Sequence, residues 1–330
     1  MPSRRLIRLL LLAVGALAVI LSAGAGAAHV QATTTPFTYV ALGDSFSSGE
    51  GVRPFLRTGG ACDRSSRAYS TSVRPAGYAR PLYAIASRGG PAGRGGANTF
   101  GSGQSVRKAG GVVWVTRACS GATTQNVLPR SLGGVPQIGA GGTTQLDSAT
   151  LKSADLVTLT LGGNDVGYVE VLAACALGTC NTPEFEQQRA AQIDATEPKL
   201  EAVYRAVAAK APHARILVLG YPQLFPADPA RQACQALGAF SGEQDMLRRL
   251  GDRLNATITT AAAHAGARVR YVPVAGRFGG HEICGSKGAW LNAIVSSPSG
   301  FGLDPGSFHP NLAGQAGYGA AVNAALAQAR

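Results

Sequence analysis

The sequence predicts an α/β fold in which helices cover both faces of a mostly parallel sheet. Apolar runs rich in β-branched residues recur along the 330-residue chain, and helical segments separate them. The runs are nearly continuous rather than alternating, as expected for strands that are buried on both faces. Because strand, helix and strand repeat in this order, we expect a sheet sandwiched between two layers of helices.

Five runs predict the strands of the sheet. They cover residues 37–42, 112–116, 155–161, 215–221 and 268–274. Two other stretches are predicted to be loops because they are rich in glycine. Residues 86–111 contain nine glycines and no acidic residue, and residues 131–142 have a similar composition.

Three segments predict the covering helices: residues 184–210, 241–266 and 311–330. In the second segment, one face carries apolar residues three or four positions apart, namely Leu247, Leu250, Leu254 and Ile258. Ser241 and Gln244 have the spacing of a capping box at the start of this helix, and Gly266 can end it. Pro198 predicts a break in the first segment.

The first 32 residues predict a signal peptide, and one domain is expected over residues 33–330. Arg4, Arg5 and Arg8 precede an apolar run. Small residues follow the run and allow cleavage after Ala28 or Ala32. An uncleaved membrane anchor is the alternative, but the apolar run is short for a span. We therefore expect a secreted protein.

The chain contains six cysteines, and an even number in an exported chain predicts three disulfides. Six cysteines allow 15 pairings, so the residues alone leave the connectivity open. No C-x-x-C pair occurs, which argues against a zinc ribbon or a redox site, and we expect neither a metal nor a cofactor. His281 begins a zincin-like segment, but Gly285 stands where the second histidine would be, so a structural role is predicted.

The formal charge of +12 becomes +9 when the three arginines of the signal segment are removed. A basic exported protein can contact lipid interfaces or anionic polymers. The arginines are scattered and no recognition helix is evident, so nucleic-acid binding is not expected. We expect a monomer whose partner is a small-molecule or lipid substrate.

Polar motifs follow the predicted strands, and the carboxyl ends of parallel strands meet at one edge of a sheet. The first strand leads into Ser45, the second into Gly121 and the third into Asn164. His309 lies in a further loop, just before the last helix. We therefore expect these four residues to lie close together.

These residue types suit acyl transfer. A serine hydroxyl becomes a nucleophile when a base accepts its proton, and histidine is the usual base near neutral pH. The amides of Ser45 and Gly121 and the side-chain amide of Asn164 could stabilise the oxyanion of a tetrahedral intermediate. The neighbouring Asp44, Asp165 and Glu50 are predicted to accept hydrogen bonds from loop amides.

Four sequence blocks occur in an order that resembles the SGNH or GDSL hydrolases: "GDSFSSGEG", "CSGATT", "GGND" and "SFHPNLAGQ". With the six cysteines, the chain is similar to the secreted actinobacterial esterases, lipases and phospholipases of that family. The resemblance implies a three-layer, flavodoxin-like fold with a five-stranded parallel sheet. It implies Ser45 as nucleophile, His309 as general base, and Ser45, Gly121 and Asn164 as the oxyanion hole. The cysteine pattern of that branch implies the disulfides Cys62–Cys119, Cys175–Cys180 and Cys234–Cys284.

One departure from the family pattern concerns the group that orients His309. Many members carry an aspartate three residues before the histidine, where this chain has Gly306. We therefore expect a Ser-His dyad in which the backbone carbonyl of Gly306 or Ser307 accepts the Nδ1–H of the ring. The alternative is that Asp304, five residues before the histidine, folds back to the ring and completes a triad.

The sequence thus predicts a secreted serine esterase or lipase that hydrolyses carboxylic esters. The alternative from another class is a non-catalytic exported protein that binds glycan or lipid on a hydrolase scaffold. A decayed enzyme is expected to have lost its serine, asparagine or histidine, and all three are present. Acyl chain length and natural substrate depend on the shape of the pocket.

Overall fold

The computed structural model describes residues 36–56, 58, 60–89, 104–137, 141–177, 180–227, 243–295 and 304–328. Within these residues, one sheet is formed by β1 (Phe37–Gly43), β2 (Ser105–Ala109), β3 (Val112–Thr116), β4 (Leu156–Thr160), β5 (Arg215–Leu219) and β6 (Val269–Val272). The strand order is β2-β3-β1-β4-β5-β6. All neighbouring strands are parallel except β2 and β3, which are antiparallel.

The α/β fold class is confirmed, but the predicted strand count of five is wrong because the sheet has six strands. The additional strand, β2, lies inside the segment that was predicted to be a glycine-rich loop. It is an edge strand of five residues and carries Arg107 and Lys108, so it lacks the apolar run of a central strand. Gly110 and Gly111, both at positive φ, form the turn that pairs β2 with β3.

The helices of the described residues are α1 (Ser45–Ser48), α2 (Leu82–Ala86), α3 (Thr124–Val127), α4 (Tyr168–Leu177), α5 (Pro183–Asp194), α6 (Glu197–Lys210), α7 (Gln244–His264) and α8 (Leu312–Ala327). Short 3-10 turns cover Gly60–Cys62, Tyr69–Ser72, Ser87–Gly89, Arg130–Leu132, Ala149–Ser153 and Ala275–Phe278. The second predicted loop, residues 131–142, contains part of one such turn and neither a strand nor an α-helix in its described part.

The predicted helical segments are all present with altered ends. The expected break falls just before Pro198, between the end of α5 and the start of α6. The proline lies in the first turn of α6, where its missing N–H costs no helical hydrogen bond. Gly266 follows the end of α7 with a φ of +111°. Ser241 of the predicted capping box lies outside the described residues. Helix α4 was not predicted.

The first polar motif of the sequence follows a buried strand at the centre of the sheet. β1 lies between β3 and β4, and its residues Tyr39, Val40, Ala41 and Leu42 have no exposed surface. Helix α7 covers part of the sheet with its apolar stripe and packs against α5, α6 and β6. A polar motif that follows β1 therefore emerges from the middle of the sheet.

Two of the predicted disulfides, Cys62–Cys119 and Cys175–Cys180, are present in the structure. The third prediction involves Cys234, which lies outside the described residues. The predicted signal peptide also lies outside them. No helix in the described ranges is long and apolar enough to span a bilayer.

The two disulfides are expected to stabilise the fold to different degrees. They join residues 57 and 5 positions apart. Loop-closure entropy then predicts that Cys62→Ser with Cys119→Ser lowers the free energy of unfolding by roughly 4 kcal/mol, and Cys175→Ser with Cys180→Ser by roughly 2 kcal/mol. Urea unfolding of both double variants without reductant measures the difference. Equal losses would contradict this ranking.

Candidate active site

Ser45 is the first residue of α1, directly after the central strand. Asp44 caps this helix, and its carboxylate accepts a hydrogen bond from the N–H of Phe46 at 3.1 Å. Gln145 holds the preceding residue, Gly43, because its side-chain amide bonds both the N–H (2.7 Å) and the carbonyl (2.8 Å). The position of Ser45 is therefore fixed on both sides of the strand-to-helix turn.

His309 lies in contact with Ser45. The Nε2 atom of the ring is 2.7 Å from the Oγ atom of Ser45, and the ring is almost entirely buried. The Nδ1 atom is 3.0 Å from the carbonyl oxygen of Ser307. A ring with its proton on Nδ1 donates to that carbonyl and leaves Nε2 free to accept the serine proton. Burial lowers the pKa of His309 from 6.5 to about 4.

Of the three candidates for orienting the ring, Ser307 is the one beside Nδ1. The carboxylate of Asp304 instead accepts the N–H of Gly306 at 2.7 Å and lies 3.7 Å from Arg53. The carbonyl of Gly306 accepts the side-chain amide of Asn292 at 3.0 Å.

Asn292 holds the histidine loop and was not predicted as a residue of the site. Its side-chain amide also donates to the carbonyl of Gly51 at 3.0 Å, and its backbone pairs with Phe308 and His309. Phe308 has a φ of +62°, which is unusual for a bulky residue. Asn292 is separated from these partners in sequence, and no local motif signals the contact.

The other two residues of the predicted oxyanion hole lie on loops that bond to each other. The side-chain amide of Asn164 donates to the carbonyl of Ala122 at 3.0 Å. Asp165 accepts hydrogen bonds from both the N–H and the hydroxyl of Thr124, as expected for a loop acceptor. Gly121 has a φ of +75°, and its N–H donates to no acceptor among the described residues.

A buried polar network lies beneath Ser45. The carboxylate of Asp44 also accepts hydrogen bonds from the hydroxyls of Thr160 (2.6 Å) and Tyr221. Burial raises the pKa of Asp44 to about 6. The hydroxyl of Ser47 bonds Thr160 at 2.7 Å and contacts Tyr69, so Ser47 belongs to this network and does not face the cavity. Ser48 donates to the carbonyl of Ser45.

Glu50 approaches the histidine, a contact that was not predicted from the sequence. One carboxyl oxygen accepts the hydroxyl of Ser120 at 2.5 Å and lies 3.5 Å from Nε2 of His309. Burial raises the pKa of Glu50 from 4.5 to about 7. Glu50 was predicted to accept hydrogen bonds from loop amides, whereas the structure shows the hydroxyl of Ser120 donating to it.

A cavity of about 800 Å³, including its open mouth, is lined in part by Ser45, Gly163 and Asn164. Its other walls come from α4, α5 and α7 and from the segment that follows β5. Most of its lining is apolar and includes Phe46, Val171, Ile193, Leu224, Leu247 and Leu254. The candidate nucleophile therefore lines a mainly apolar cavity that suits a hydrocarbon chain.

His281 lies apart from this centre. Its ring stacks on Trp290 with 4.0 Å between centroids, and Nδ1 contacts the carbonyl of Gly288. These contacts agree with the structural role that was predicted. In the part of the chain that the structure describes, no group of three or more His, Cys, Asp or Glu residues could hold a metal ion.

Comparison with known proteins gives relatives along nearly the whole chain. The sequence is 31% identical to Lipase 1 of Streptomyces coelicolor, over 91% of this chain and 92% of the relative. A crystal structure of an extracellular lipase from Streptomyces rimosus superposes with a TM-score of 0.61 at 28% identity, covering 88% of this chain and 99% of that chain. Phospholipase A1 from Streptomyces albidoflavus superposes with a TM-score of 0.58 at 30% identity and the same coverage.

The fold and the relatives together define a hydrolase of carboxylic esters. The model of the GDSL-like lipase/acylhydrolase family matches residues 41–316. The chain belongs to this family.

Proposed function

We propose that the protein is an exported serine esterase or lipase in which Ser45 is the nucleophile and His309 the general base. The observation that carries the proposal is the 2.7 Å contact between Oγ of Ser45 and Nε2 of His309. His309 accepts the hydroxyl proton as Oγ attacks the ester carbonyl. It then donates that proton to the leaving alcohol, and water releases the acyl group by the reverse sequence.

The tetrahedral intermediate carries a negative charge on the former carbonyl oxygen. In our proposal the amides of Ser45 and Gly121 and the side chain of Asn164 donate to this oxyanion. The contact between Asn164 and the carbonyl of Ala122 supports the proposal, because it fixes the amide group beside the loop of Gly121. Donors that are already in place need no rearrangement when the charge develops.

The base works as part of a dyad. The carbonyl of Ser307 accepts a hydrogen bond from the Nδ1–H of His309, and the contact of 3.0 Å supports this assignment. A carbonyl selects the tautomer as a carboxylate does, but it gives less electrostatic support to the imidazolium.

The acyl chain is proposed to lie in the apolar cavity beside Ser45. The lining from α4, α5 and α7 favours esters of medium or long fatty acids, including lipids, over acetyl esters. The relatives named as a lipase and a phospholipase A1 agree with lipid substrates.

Export is part of the same proposal. Two disulfides and the N-terminal sequence support a protein that acts outside the cell, after cleavage at Ala28 or Ala32. The mechanism uses side chains and backbone amides of the chain itself and needs no cofactor.

Ser45→Ala is expected to lower kcat at least about 10⁴-fold. Ser47→Ala is the matched control, and it is expected to keep activity within about tenfold while losing about 1–3 kcal/mol of unfolding free energy, because it leaves buried partners unsatisfied. Turnover of a p-nitrophenyl ester and labelling by a fluorophosphonate measure both variants. A well-folded wild-type protein with neither turnover nor labelling would favour the non-catalytic binding alternative.

Asp304→Asn tests the dyad. The amide oxygen can still accept the N–H of Gly306, so the loop is expected to keep its shape. We expect kcat to fall less than about tenfold, whereas loss of a triad carboxylate costs about 10⁴-fold. A loss of that larger size in steady-state kinetics would assign the orienting role to Asp304.

Leu247→Trp tests the acyl pocket, because the larger ring occupies the cavity from α7. For an ester of a ten-carbon acid, kcat/KM is expected to fall at least about tenfold, with little change for an acetyl ester. Val169→Trp is the control, since Val169 is 59% exposed and does not line the cavity. An equal loss for both esters in Leu247→Trp would place the acyl chain elsewhere.

A further inference from the structure

The carboxyl group of Glu50 is the acidic group beside Nε2 of His309, the ring atom that exchanges protons with Ser45. The two atoms are 3.5 Å apart, and Glu50 is only 8% exposed. On the opposite side of the ring, Nδ1 faces a neutral carbonyl. The imidazolium that forms during the reaction therefore has its close negative partner on the Nε2 side.

Two glycines bring Glu50 to this position. Gly49 ends α1 in the left-handed region, with a φ of +84°. Gly51 leaves room for the histidine loop, because a Cβ atom there would lie 2.4 Å from the carbonyl of Pro310 and 2.9 Å from Cβ of His309. The Gly-Glu-Gly triplet thus lets two loops pack closely with the carboxyl group between them.

The loop of Gly121 also contacts this carboxyl group. Ser120, the residue before Gly121, donates its hydroxyl to Glu50 at 2.5 Å. Ser120 in turn is tied to the Cys62–Cys119 disulfide, since its N–H donates to the carbonyl of Cys62 at 3.1 Å. Glu50 therefore joins the base loop to the loop of the proposed oxyanion donor.

We propose that Glu50 is a positioning residue whose carboxylate stabilises the imidazolium of His309 from the Nε2 side, since Nδ1 faces only a neutral carbonyl. The inference rests on the proposed roles of Ser45 and His309. When the hydroxyl proton of Ser45 moves to Nε2, the ring gains one positive charge opposite the carboxylate. The proton then leaves Nε2 for the alkoxide of the departing alcohol, and Glu50 ends the step unchanged.

The pH dependence of this arrangement follows from both groups together. Burial raises the pKa of Glu50 to about 7, and burial lowers the pKa of His309 to about 4. At 3.5 Å the two groups titrate as a pair, so one proton enters the pair near neutrality. That proton either neutralises the carboxylate of Glu50 or occupies Nε2 of His309. In both cases activity falls. The other charged groups facing the pair are Asp44, Asp63 and Asp304, with Arg53 beside the last two.

The test is Glu50→Gln, which removes the charge and keeps an oxygen that can accept from Ser120. We measure kcat/KM for a soluble ester between pH 4.5 and 9. The wild type is expected to lose activity as the pH falls through about 7. The variant is expected to be about 10- to 100-fold slower at pH 8. It is also expected to be nearly independent of pH down to about 5, because His309 alone then sets the acid limb.

Two further variants separate charge from structure. Ser120→Ala removes a hydrogen bond that lowers the pKa of Glu50, so the acid limb is expected to move to higher pH. Asp63→Asn removes a carboxylate that raises the pKa of Glu50 without contacting His309, so the limb is expected to persist and move slightly to lower pH.

An unchanged rate at pH 8 and an unchanged acid limb in a folded Glu50→Gln protein would overturn the inference. If that variant does not fold, Ser120→Ala decides, and an unmoved limb overturns the inference. Failure of the proposed function is distinguishable, because Ser45→Ala would then remain active. If Ser45→Ala is inactive and Glu50→Gln has the pH profile of the wild type, only the role of Glu50 is rejected and the proposed function stands.

Discussion

The carboxyl group of Asp44 is the constraint on which the arrangement of the site depends. It accepts hydrogen bonds from the first turn of α1, from Thr160 at the end of β4 and from Tyr221 after β5. Three neighbouring strands are thereby tied together at the point where Ser45 leaves the sheet. Burial of this carboxyl is unfavourable, as its raised pKa indicates, and the three donors offset that cost. Ser45 is therefore held by a polar network inside an apolar core.

A parallel sheet alone does not bring the remaining groups together, and long-range contacts complete the site. His309 follows no strand of the sheet, and Asn292 holds its loop against Gly51. The Ser120–Gly121 loop is held by the Cys62–Cys119 disulfide and by Glu50. Each loop is thus positioned by a partner distant in sequence, which gives the rigidity that proton transfer over a short distance requires.

The central strands, the helices α5 to α8 and the proximity of Ser45 and His309 were predictable from the sequence. Buried parallel strands produce a nearly continuous apolar run in the sequence. The polar residues that follow their carboxyl ends meet at one edge of the sheet. The edge strand β2 was missed because a short, charged strand with one neighbour has no such run. Asn292 and Glu50 were missed for another reason. Their partners lie 241 and 70 positions away, at Gly51 and Ser120, and residue type alone does not reveal such contacts.

The Cys62–Cys119 disulfide sets the order in which the parts of this site can be fixed. The bond lies one residue from Ser120 and two from Gly121, and it closes a long segment of chain between the first two sequence motifs. A newly synthesised chain carries thiols at these positions, and the cross-link forms only where an oxidant is available. The loop that neighbours Ser45 therefore acquires its final anchorage only when these two thiols have been oxidised. Completion of the site is in this way coupled to the oxidation of two cysteines that are distant in sequence.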